Sequence, residues 1–71
     1  LIERDQIEDA IKIFELLVAE FPNSPNSYDS IGEAYYLNGN NDLAIHNYKK
    51  SLQLNPKNSN AIEMIEKINK K

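Results

Sequence analysis

A chain of 71 residues with no cysteine, one histidine and a net charge of −3 excludes several classes at once. Disulfide staples and thiolate metal sites need cysteine, multi-histidine metal centres need more than His46, and nucleic-acid binding wants a basic balance. No apolar run approaches the roughly 18 residues of a membrane span, and a chain this short buries only about 60% of its unfolded surface, so a single domain of marginal stability is expected.

From Ile7 the residues Ile7, Ala10, Ile11, Phe14, Leu17, Val18 and Phe21 recur at helical spacing, one face sustained over about four turns. Asp5, with Glu8 three residues on, predicts a capping box at the start of this helix, and Pro22 predicts its end. Ile13 and Leu16 fall off the stripe, which makes the helix apolar on more than one side, the mark of burial on both faces. A second helix opens at Pro25, with Ser24 as its capping residue. It turns Tyr28, Ile31, Ala34, Tyr35 and Leu37 inward and breaks at Asn38-Gly39, where glycine supplies left-handed backbone. Asn40 or Asn41 caps a third helix, with Leu43, Ala44, Tyr48, Ser51 and Leu52 at helical spacing and Asn55-Pro56 as its stop. Asn58 caps a fourth, apolar on Ala61, Ile62, Ile65 and Ile68 and lysine-rich at its end.

Charge is unevenly spread along these elements. Residues 1–42 are acidic, with only Arg4 and Lys12 opposing, whereas residues 43–71 carry most of the lysines against Glu63 and Glu66. Carboxylates near helix starts and lysines near the last helix end are what the helix macrodipole favours.

At an offset of 34 residues Ala10 aligns with Ala44, Ile11 with Ile45, Phe14 with Tyr48, Pro22 with Pro56, Ser24 with Asn58 and Ile31 with Ile65. A period of this length with paired helices marks a repeat architecture. Counted from Pro25, Tyr28, Ile31, Gly32, Tyr35, Ala44, Tyr48, Ser51 and Pro56 stand where a tetratricopeptide repeat places its pattern residues, with tyrosine for the commoner tryptophan at Tyr28. Residues 25–58 therefore resemble one complete repeat of that family. The resemblance implies an all-α fold: antiparallel helix hairpins of a right-handed solenoid, about one and a half repeats plus a C-terminal capping helix. It also implies that Gly32 and Ala44 let the helices of a hairpin approach closely while the tyrosines fill the space around them.

Within a single domain, 1–71, residues 1–24 fit the second half of a truncated repeat, 25–58 the complete repeat and 59–71 the capping helix, as the C-terminal piece of a longer protein. Glu66 occupies the place of the packing glycine and Asn69 that of the large eleventh residue. A buried, unpaired carboxylate is costly, so no further helix is expected against that face.

Candidates for chemistry are few. Asp42 and His46 lie four apart but make only two metal ligands, and they read as a solvated pair. No serine has a histidine arrangement to activate it. Asp29, Glu33 and Glu63 read as ordinary helix charges rather than paired catalytic carboxylates. No catalysis, metal or cofactor is expected.

In tetratricopeptide repeats the first helix of each repeat lines a concave groove. On this sequence the resemblance places Asn26, Asp29, Ser30, Glu33, Tyr36 and Leu37 there from the second helix, with Asn60, Glu63, Met64 and Lys67 from the fourth. Some members of the family grip the C-terminal carboxylate of chaperone tails with basic residues and asparagine; Asp29, Ser30 and Glu33 at those places would repel one. The expected function is a non-catalytic protein–protein interaction scaffold whose partner is a polar, partly basic or amphipathic peptide or helix, not nucleic acid or membrane. The alternative is a structural self-association or docking module. Its association surface would be Leu1, Ile2, Ile13 and Leu16, giving a homodimer through the first helix or contact with an upstream domain. The run Asn26–Leu54, closing in Asn-Pro and lysines, is also similar to the C-terminal appendage of some bacterial serine hydrolases and β-lactamase-like enzymes.

Overall fold

Four helices follow one another through residues 4–70, the part of the chain that the computed structural model describes: α1 Arg4–Glu20, α2 Pro25–Leu37, α3 Asn41–Leu54 and α4 Ser59–Asn69. No strand occurs among the described residues. Each helix packs on the next in sequence, and the hairpins form a slab of 33 × 32 × 17 Å. Every helix keeps exposed residues along it, so each retains a face in solvent.

The breaks between helices follow local chemistry. Pro25 opens α2, where its lack of an N–H costs nothing, and Ser24 stands at the cap in extended backbone. The Ser24 side chain makes no capping bond, and neither does that of Asn40 before α3. Asn58 does cap with its side chain, Oδ1 accepting from the Ala61 N–H at 3.3 Å. Gly39 turns the chain between α2 and α3 at φ 84, a conformation open chiefly to glycine. The start of α1 differs from expectation: the helix already includes Arg4, so Asp5 lies inside its first turn rather than at a cap. By the 34-residue offset Asp5 corresponds to Gly39, and with no glycine at that point the backbone stays helical.

Ala44, Tyr48 and Ala61 are wholly buried and Ile68 nearly so, with Tyr35, Tyr36, Ile45, Leu52, Met64 and Ile65 packed around them. Tyr28, Ile31 and Ala34 are buried from α2. Gly32 faces the Tyr48 ring so closely that an added Cβ would lie 3.2 Å from three ring atoms. The tyrosine hydroxyls tie α2 to what precedes it. Tyr28 donates to the Pro22 carbonyl at 2.9 Å, and Tyr35 donates to Glu15 Oε2 on α1 at 3.1 Å.

Several apolar residues that helical spacing assigned to inner faces are exposed: Leu17, Phe21, Leu37, Leu43 and Ile62. The reason is coverage. α1 packs chiefly on α2 and α4 chiefly on α3, so the stripes bearing Leu17, Phe21 and Ile62 are covered only in part, while Leu37 and Leu43 flank the turn between α2 and α3. Ile13 and Leu16, off the stripe, are the most open at 58% and 68% exposed. Leu1 and Ile2 lie outside the described residues.

Candidate protein-interaction surfaces

A polar joint holds three helices where α2 begins, α3 ends and α4 begins. Asn58 Nδ2 donates both to Asp29 Oδ2 at 2.7 Å and to Ser51 Oγ at 2.9 Å. The Ser51 hydroxyl in turn donates to the Pro25 carbonyl at 2.9 Å. With the Ala61 N–H on its oxygen, Asn58 uses both amide hydrogens and its carbonyl. Ser51 is wholly buried, which makes this bonding obligatory rather than ornamental.

The residues expected to share one concave groove divide into two sets. Asp29 and Tyr36 face α4, the first through its bond to Asn58, the second under the Lys67 ammonium, which lies 5.5 Å from the ring centroid. Met64 is half-buried on this side, and Asn26, Asn60 and Glu63 are exposed. Ser30, Glu33 and Leu37 border a different space, a cavity of about 220 Å³ between α1 and α2 whose other walls include Ile7, Ala10 and Phe14. Leu37, expected to turn inward, is 49% exposed at its rim.

Electrostatics concentrate beneath the α2–α4 face. The Tyr48 hydroxyl and Asp29 Oδ1 are buried with no hydrogen-bond partner among the described residues. The Tyr48 hydroxyl pKa is pushed up to about 12, first by burial and then by the negative charges of Glu33 and Asp29. Tyr35 shifts the same way, through burial and then its bond to Glu15.

Sequence reasoning found Asp29 and Asn58 separately, one as a groove residue and one as a cap, and missed that they bond. An asparagine whose side chain must cap its own helix gives no local sign of a second partner 29 residues away. It also placed Ala10 and Phe14 on the apolar face of the first helix without marking them as walls of an open cavity.

No helix among the described residues is long and apolar enough to cross a membrane. A tetratricopeptide-repeat family model matches residues 30–58, and a second model of that description matches residues 1–24. No curated protein and no solved structure matches the chain.

Proposed function

The chain belongs to the tetratricopeptide-repeat family, whose repeats generally mediate protein–protein interaction, and from that premise we propose that its α2–α4 face binds a basic or amphipathic peptide segment. The observation that carries this reading is the half-buried Tyr36 on the face where the Asp29 carboxylate reaches Asn58 at the start of α4, with Glu63 exposed on that helix. An aromatic face next to negative charge suits a lysine or arginine, and a cation over such a ring is worth about 0.5–1 kcal/mol at an exposed site. Lys67 already occupies one side of that ring, so an incoming cation competes with it and a carboxylate is repelled by its neighbours. On this reading residues 25–58 form the complete repeat, 1–24 the second half of a preceding one and 59–71 a closing helix, and the chain carries no catalysis.

The test is a titration of isotope-labelled chain with a lysine-rich peptide and, separately, with an acidic chaperone-tail peptide. Saturable shifts at Tyr36, Met64 and Lys67 with the first, weakening as salt is raised, support the proposal. Such shifts with the acidic tail alone would sink it.

A second reading rests on a separate observation. Ile13, Leu16, Leu17 and Phe21 form an exposed apolar strip along α1, fit to bury against another copy or another domain.

A further inference from the structure

We infer that a cleft between α1 and α3 binds an acidic peptide segment, its carboxylates meeting Lys49 and Lys50 and an apolar side chain resting on Val18. The cleft encloses about 570 Å³ and is walled by Val18 of α1, Tyr28 of α2 and a basic row on α3, His46, Lys49 and Lys50. No carboxylate lines it, and it shares no residue with the cavity between α1 and α2. It is also distinct from the α2–α4 face.

The lysines do not serve the helix that bears them. Of the four helices, α3 alone carries more lysine and arginine than aspartate and glutamate, Lys49 and Lys50 against Asp42. A cation steadies a helix from its last turn, and the last turn of α3 holds none. The residues three and four away supply no counter-charge either. They are Ile45, His46, Leu52 and Gln53 around Lys49, and His46, Asn47, Gln53 and Leu54 around Lys50. Asp42 stands about two turns before Lys49. Nor does the repeat call for this charge, since the 34-residue counterparts of Lys49 and Lys50 on α1 are Glu15 and Leu16.

Apolar surface lies beside the ammonium groups. Val18 is half-buried, and the Tyr28 hydroxyl is committed to the Pro22 carbonyl, which leaves the tyrosine its ring to offer. Two exposed cations next to such a wall complement a segment in which carboxylates flank a leucine-like residue, and opposite charges across an interface speed encounter and fix register. A nucleic-acid strand fits less well: it needs a run of cations along its backbone, and this cleft offers two lysines on a chain of net charge −3.

The probe is the end-blocked peptide Glu-Asp-Leu-Asp-Glu, titrated into the isotope-labelled chain, with a version carrying serine for leucine in parallel. Saturable shifts are expected at Val18, His46, Asn47 and Lys50 and not at Met64 or Lys67, weakening as salt is raised. The double variant Lys49→Gln, Lys50→Gln, of unchanged helicity, should bind about three- to tenfold more weakly, and the serine peptide should lose affinity as well. Undiminished binding by the double variant or of the serine peptide overturns the inference. So does a failure to shift the cleft residues, or an oligonucleotide of equal charge that shifts them more strongly. The α2–α4 proposal is read with a lysine-rich peptide at Tyr36, Met64 and Lys67, so each of the two can fail alone.

Discussion

Asn58 and Asp29 are 29 residues apart in sequence, yet the amide of one donates to the carboxylate of the other at 2.7 Å. The same asparagine caps α4 and bonds Ser51, so one side chain fixes three helices at a common corner. Its two functions, capping and bridging, are separable by substitution.

Asn58→Asp keeps a good capping residue but replaces the bridging donor with a second carboxylate. It is expected to destabilise the fold by about 1–3 kcal/mol at neutral pH, through lost bonds and like-charge repulsion. The exchange Asp29→Asn with Asn58→Asp restores one donor and one acceptor across the joint and should recover much of that loss. Thermal melts of the natural chain and the two variants decide it; a double variant no better than the single one means that the bridge contributes little.

Tyr48→Phe removes a buried hydroxyl that has no partner among the described residues. Stabilisation of about 1 kcal/mol is expected, which for a domain of this size raises Tm by about 4–8 °C.

Alkaline pH gives an independent check on the same hydroxyl. Its folded pKa is raised from 10.0 to about 12, so the fold favours the protonated form. That contribution is intact below pH 10 and fades as pH climbs toward 12. Helicity of the natural chain should therefore fall more steeply over this window than that of Tyr48→Phe. Parallel curves would mean that Tyr48 does not govern the alkaline limit.

The two glycines should respond to alanine for different reasons. At Gly39 the cost is backbone strain at φ 84, about 1 kcal/mol or more, since no side chain lies within reach of an added Cβ. At Gly32 a gain in helix propensity of up to about 1 kcal/mol opposes crowding of about 1–3 kcal/mol against a tyrosine with nowhere to move. Net loss is expected, and Tyr48→Phe should not relieve it, because the contacts are to ring carbons. Chemical denaturation of the single and double variants measures both.

On α1, Ile13→Lys and Leu16→Lys place charge on the most exposed apolar residues of the chain's first helix. Light scattering over a concentration series should show any dimer of the natural chain weakened by either change, with monomer stability moved by no more than about 0.5 kcal/mol. A dimer indifferent to both would place association elsewhere.

Helix order, the proline and glycine breaks and the buried tyrosines were legible in the sequence because each depends on local spacing. Exposure was less so. Leu37, Leu43 and Ile62 repeat at helical periods like core residues, and only the packing around each position decides whether it is covered. The same limit applied to the candidate site. Periodicity placed Asp29, Ser30, Glu33, Tyr36 and Leu37 on one helix, but whether each leaned toward α1 or α4 depended on packing. The Asn58 bridge lay further out of reach, since asparagine before a helix is fully explained by its cap.

Glu66 has a consequence for how copies of this chain can assemble. A repeat whose two ends match can stack head to tail without limit, since a heterologous contact that does not close on itself propagates into a filament. Here Glu66 stands at the place on α4 where α2 has Gly32 against the Tyr48 ring. A neighbour seated on α4 in that way would bury an unpaired carboxylate, so one glutamate is expected to set a bias against head-to-tail stacking of copies.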